Sequence, residues 1–185
     1  MGNAGAEFWV FAYGSLMWKP GFAHAERLRA RLDGYVRRFC LDSITYRGTP
    51  EFPGLVLALD EAAGGACDGV AYRVPPAEAE ATRAYLRARE LVTYSYLERE
   101  LPATLEDGRK VTALAYVMDH SHPQYRGGLS PREQAAVIAR AVGPAGSNVE
   151  YLENTVAHLA GLGIEDGEMT RLLALVRALA AEPTG

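Results

Sequence analysis

Segments with the two-residue period of a β-strand fill the first two thirds of this chain, and segments with a helical period fill the last third. That separation limits the fold more than any single motif does. Phe8, Trp9, Val10 and Phe11 form a β-prone apolar run within Glu7–Tyr13. Leu28, Ala30 and Leu32 alternate with Arg27, Arg29 and Arg31, a period that turns one face to a core and the other to water. Tyr35–Leu41 follows Gly34 as a further strand, and a Gly- and Pro-rich loop, Arg47-Gly-Thr-Pro-Glu-Phe-Pro-Gly54, leads into another at Leu55–Leu59. Gly64-Gly65 signals a turn, with Asp68–Val74 as the returning strand, and Tyr94–Leu101 and Lys110–Met118 flank the hairpin signal Asp107-Gly108. Pro75-Pro76 stops the sheet, and Pro76 suits the first turn of a helix running to about Arg89 through Glu78, Ala81, Tyr85 and Leu86. Ser130-Pro-Arg-Glu133 and Ser147-Asn-Val-Glu150 have the form of capping boxes, each opening a helix, ended by Gly143 and Gly161. A last helix spans about Asp166–Ala181 with Met169, Leu172, Leu173, Val176 and Leu179 on one stripe. Strands that precede helices instead of alternating with them predict an α+β fold. Its sheet is mixed, largely antiparallel and curled towards a barrel, with flanking helices.

At 185 residues, with 49% hydrophobic and 23% charged residues, the chain has the size and mixture of one soluble domain, here expected over residues 1–185. A net charge of −4 argues against a nucleic-acid partner, which needs a strongly basic face. No apolar run approaches the ~20 residues of a membrane helix, and Glu7 interrupts the first apolar stretch with no basic leader before it. The expectation is a cytoplasmic protein without membrane association whose partner is a small molecule. Neither GxGxxG nor GxxxxGK[ST] occurs, so nucleotide phosphates have no recognisable cradle. Cys40 and Cys67 have neither disulfide-framework nor zinc spacing and read as buried thiols.

Two features carry chemistry. Tyr13-Gly14-Ser15-Leu16 stands where a strand ends, and Gly14 permits either a positive φ or the close approach of a ligand. Backbone N–H groups of such a turn can converge on an anion or oxyanion, although a plain strand-to-loop turn has the same signature. Ser15 has no GxSxG context to make it a nucleophile. Glu90 follows Leu86 by four residues, so a helix reaching that far puts both on one face. Burial and the negative helix C-terminus would then raise its pKa, whereas Arg87 and Arg89 would oppose the rise if they point the same way. An exposed acid balancing those arginines fits the same pattern. Glu98, Glu100 and Glu51 are rival acids, with Glu98 and Glu100 sharing a strand face with Tyr94 and Tyr96. His120-Ser-His122 could offer two imidazoles from an extended segment but lacks further ligands at a recognisable spacing, so no metal site is expected. His24 and His158 stand alone and carry no assignment.

The blocks Val10–Phe22, Gly34–Phe39, Arg47–Pro50, Gly69–Val74, Tyr85–Glu90 and Ala141–Asn148 followed by Glu150-Tyr-Leu152 resemble, in that order, the ChaC family of γ-glutamylcyclotransferases. The resemblance runs from about Phe8 to the final helix. It implies a mixed β-barrel with flanking helices and cleavage of glutathione into 5-oxoproline and cysteinylglycine, without metal or cofactor. It also implies that Tyr13, Gly14, Ser15 and Leu16 form the floor of a γ-glutamyl pocket with Ala12 and Met17 adjoining, that the catalytic glutamate is Glu90, and that Tyr116 is a pocket tyrosine. Turnover of other γ-glutamyl amines, or non-catalytic binding of a γ-glutamyl ligand or a transporter partner, are the alternative readings. The chain departs from relatives at Thr45-Tyr46, at Leu91-Val92-Thr93 after Glu90, and at Ala81, where some members have a second acid.

Overall fold

The computed structural model describes residues 6–93 and 95–182. Tyr94, expected to open a strand, lies outside the described residues. The elements in order are β1 (Phe8–Ala12), β2 (Glu26–Ser43), β3 (Gly54–Val74), α1 (Ala79–Glu90), β4 (Tyr96–Leu105), β5 (Lys110–Met118), α2 (Pro131–Arg140), β6 (Val142–Gly143), β7 (Gly146–Ser147), α3 (Asn148–Gly161) and α4 (Gly167–Ala181), with short 3₁₀ turns at Ser15–Met17 and Pro76–Glu78. The chain divides into two compact units: residues up to Arg37 with Leu59–His122, and Arg38–Ala58 with Pro123 onward.

The first unit is built on the sheet. Strands close a barrel in the order β1-β3-β2-β4-β5. β1 pairs antiparallel with β3 and parallel with β5, whereas β4 pairs antiparallel with both β2 and β5, so the sheet is mixed and largely antiparallel as the sequence implies. The two-residue alternation sends Trp9, Phe11, Ala113, Ala115 and Val117 into one apolar cluster with Leu32 and Leu59. The opposite face of β5, Leu114, Tyr116 and Met118, is buried as well. α1 lies over that outer face of β1 and β4: the Arg83 guanidinium sits 4.2 Å from the Phe8 ring centroid, and Arg87 pairs with Glu98 at 2.9 Å. Thr82 and Leu86, four residues apart on α1, are its buried positions.

One expectation is corrected here. Leu28–Leu32 and Tyr35–Leu41 belong to a single 18-residue strand, and Leu55–Leu59 and Asp68–Val74 to a single 21-residue strand. Gly34 (φ 84°) and Gly64 (φ 76°) bend these strands at a left-handed residue without ending them, the manner of a bulge and not of a hairpin turn.

In the second unit α2, α3 and α4 pack together, with Met169, Leu172, Leu173 and Val176 forming the buried stripe of α4. Ser130 and Glu133 complete a reciprocal capping box on α2, and the Ser147 hydroxyl accepts from the Glu150 N–H at the start of α3. Arg47 donates to the Ser147 carbonyl and to Glu150, both at 3.1 Å. The fully buried side chain of Asn148 accepts from the Leu55 N–H at 2.7 Å and donates to the Leu55 carbonyl at 2.8 Å, completing one residue's backbone pairing where a neighbouring strand would otherwise do so. Asn148→Ala strands both groups in the interior and is expected to lower unfolding free energy by about 2 kcal/mol, measured as a reduced urea midpoint.

Candidate active site

β1 ends at Ala12, and after Tyr13 and Gly14 the chain enters the Ser15–Met17 turn. The Met17 N–H donates to the Gly14 carbonyl at 2.9 Å and the Lys19 N–H to the Ser15 carbonyl at 2.7 Å. Gly14 has φ −130°, so the chain changes direction by a 3₁₀ turn and not by a left-handed glycine. Ala12, Gly14, Leu16 and Met17 are buried, Tyr13 is half-buried and Ser15 is exposed.

Two polar side chains, neither given a role by the sequence, hold this turn. Arg37, only 3% exposed, donates from Nε to the Tyr13 carbonyl and from Nη2 to the Asp68 carbonyl, both at 2.6 Å. The Tyr72 hydroxyl shares its proton between the carbonyls of Leu16 at 3.0 Å and Met17 at 2.7 Å. The signal that could have found them is a polar group within an otherwise apolar strand, which must meet a specific partner to be buried at all.

Glu90 is the last residue of α1 and continues the four-residue stripe from Thr82 and Leu86. Its side chain is 17% exposed. Burial pushes its carboxyl pKa up, and the Arg89 charge opposes that rise without cancelling it. Arg89 forms an ion pair with Glu90 at 3.3 Å, donates from Nη2 to Ser15 Oγ at 2.9 Å, and donates from Nη1 to the Lys19 carbonyl at 2.9 Å and the Tyr85 hydroxyl at 3.1 Å. One guanidinium therefore ties the helix end that bears the acid to the turn after β1. Arg89 enters the sequence reading only as a possible neighbour of the acid; its reach to Ser15 is a finding of the fold.

Tyr116 on β5 is buried, and its hydroxyl donates to Glu98 Oε2 at 3.0 Å. The parallel register sets Val10 beside Leu114, so Ala12 and Tyr116 stand two residues further along adjacent strands. Burial is the main cause of a high Tyr116 pKa, joined by the hydrogen bond to Glu98 and by the charges of Glu98 and Glu90. The rival acids are accounted for differently. Glu98 is gripped by Arg87 through two hydrogen bonds of 3.0 and 2.9 Å, which hold its pKa down. Glu100 is exposed beside Arg83 at 3.4 Å, and Glu51 is exposed in the second unit. Of the paired imidazoles, His120 meets the buried Asp60 at 2.6 Å and His122 the Thr93 carbonyl at 3.2 Å. Among the described residues no cluster of three or more His, Cys, Asp or Glu could hold a metal. Cys40 and Cys67 are buried. The two carboxyls are pushed in opposite directions: burial favours the protonated form of Glu90, and the Arg87 hydrogen bonds favour the ionised form of Glu98.

The family model described as ChaC-like protein matches residues 8–179. The chain is 41% identical over 174 residues to a glutathione-specific gamma-glutamylcyclotransferase of Escherichia coli, covering 94% of this chain and 74% of that protein. It is 36% identical over 182 residues to gamma-glutamylcyclotransferase 2-3 of Arabidopsis thaliana, covering 94% and 90% respectively. The crystal structure of a γ-glutamyl cyclotransferase specific to glutathione from yeast matches with a TM-score of 0.84 at 26% identity, over 97% of this chain and 100% of that one. No helix among the described residues is long and apolar enough to cross a membrane. A match that runs from the first strand into the last helix, with relatives aligned over most of their own length, leads to one assignment: the chain belongs to the ChaC-like family.

Proposed function

We propose that this protein is a cytoplasmic, glutathione-specific γ-glutamylcyclotransferase that needs no cofactor, releasing 5-oxoproline and Cys-Gly. The observation that supports it best is the largely but not fully buried Glu90 side chain, held at the helix end and linked through Arg89 to Ser15 of the turn. The substrate carries its own nucleophile. Its α-amine attacks its own γ-carbonyl carbon, the new C–N bond closes a five-membered ring, and the C–N bond to cysteine breaks. Glu90 takes a proton from the α-ammonium to free the lone pair and returns it to the departing nitrogen; the second proton that the ring nitrogen sheds as the lactam forms leaves with Cys-Gly, whose amine ends as an ammonium, so the carboxylate ends as it began. Such proton transfer is worth typically ~100- to 10,000-fold. Ala12, Tyr13, Gly14, Ser15, Leu16, Met17 and Tyr116 hold the γ-glutamyl part folded, and orientation of this kind supplies up to ~7–11 kcal/mol of a barrier. Main-chain N–H groups of the turn serve its negatively charged oxygens.

Turnover of glutathione and of γ-glutamyl-alanine by the purified protein, followed as 5-oxoproline, tests the reading. Glutathione is expected to be the preferred donor. Equal turnover of both donors would reduce the proposal to a general γ-glutamyl cyclotransferase, and 5-oxoproline from neither would leave only a ligand-binding role.

A further inference from the structure

Glu98 has a bonding pattern that the proton shuttle leaves unused. It faces Tyr116 directly across the β4–β5 ladder, and the Tyr116 hydroxyl donates to its Oε2 at 3.0 Å. Arg87 donates to both of its oxygens, at 3.0 and 2.9 Å, which fixes the carboxylate in plane and in charge. A phenol has one proton and two lone pairs. With the proton engaged by a pinned carboxylate, only lone pairs are left for a ligand, and the engaged bond polarises the oxygen into a stronger acceptor.

We propose that Glu98 is a positioning residue that makes Tyr116 a hydrogen-bond acceptor for the α-ammonium group of the γ-glutamyl substrate. This rests on the cyclotransferase reading. A γ-glutamyl amide offers a carboxylate, an ammonium and an amide; an oxygen presenting lone pairs repels the first and suits the second, which carries three donors. Glu90 contributes to the electrostatic environment of the Tyr116 hydroxyl, so the acceptor and the base act on one neighbourhood. After the ammonium gives a proton to Glu90, the amine retains two N–H bonds and gains a lone pair. A hydrogen bond from one N–H to Tyr116 then limits the directions in which that lone pair points.

The test is a cycle of Glu98→Ala, Tyr116→Phe and the double variant, assayed with glutathione and with glutaryl-Cys-Gly, which is glutathione lacking the α-amine, as a competitive inhibitor. Each single variant is expected to lose about 10- to 100-fold in kcat/KM. The double variant should match Tyr116→Phe alone, and the preference of the parent protein for glutathione over the des-amino inhibitor should shrink in all three. Circular dichroism identifies variants that are folded; if Glu98→Ala is not, Glu98→Gln takes its place in the cycle, expected to lose less because it keeps an acceptor oxygen without the charge. Losses that multiply in the double variant, or unchanged discrimination against the des-amino inhibitor, would overturn the inference alone. Absence of turnover of any γ-glutamyl donor by the parent protein would overturn it together with the functional reading.

Discussion

Glu90→Gln is expected to lower 5-oxoproline formation from glutathione by about 100- to 10,000-fold with little change in substrate binding. Gln keeps the shape of the side chain and can still receive the Arg89 guanidinium at its carbonyl oxygen, but it cannot carry a proton from the α-ammonium to the leaving nitrogen. The same substitution is expected to stabilise the protein. Because burial raises the Glu90 pKa above its ordinary 4.5, folding favours the protonated form. Below the unfolded pKa the group is protonated in both states and imposes no penalty; above the raised folded pKa it is ionised in both and the penalty is complete. The variant should therefore melt higher than the parent at pH 7–8, a gain that shrinks as pH falls through the interval towards 4.5. Thermal melts across that range measure it, and a variant that is catalytically silent yet less stable at neutral pH would show that the Glu90 carboxylate is held by partners and not merely buried.

Arg37→Met is the second large effect. Arg37 is 3% exposed and joins two segments of the first unit through the Tyr13 and Asp68 carbonyls. Methionine fills much of the volume but leaves both carbonyls without that donor, at about 1–3 kcal/mol each, and the desolvation relieved by removing the charge offsets part of this. A net loss of about 3 kcal/mol in urea unfolding is expected. KM for glutathione should rise as well, because the Tyr13–Gly14 segment loses its fixed position. Arg37→Lys is expected to restore little, since an ammonium lacks the planar fork that reaches two carbonyls at once. A variant within about 0.5 kcal/mol of the parent, the ordinary range for surface changes, would show that the turn is held by other contacts.

What was legible in the sequence was local. The alternation at Leu28, Ala30 and Leu32, the Asp107-Gly108 hairpin and the Ser130–Glu133 capping box depend on neighbours a few residues away, and the structure contains all of them. The turn signal at Gly64-Gly65 and the separate strand after Gly34 both fall within continuous strands, because a left-handed glycine serves a turn and a bend equally well; the pairing strand decides, and it lies elsewhere in the chain. For Glu90 the spacing from Leu86 fits the inner face and an exposed position alike, and its depth depends on the sheet beneath α1. Arg89 reaches a serine 74 residues away and Arg87 a glutamate 11 residues away, contacts that no periodicity encodes. Tyr116 came from the family resemblance alone, and the structure adds the hydrogen bond to Glu98 that gives its hydroxyl a defined direction.

The central claim is that the attacking group is the substrate's own amine. Glutathione incubated with the protein in water enriched in the heavy oxygen isotope, with products resolved by mass spectrometry, tests this most directly. The account predicts 5-oxoproline of unshifted mass, one Cys-Gly for each ring formed, and no free glutamate. Glutamate bearing the heavy isotope would show that water attacks the γ-carbonyl and would contradict it.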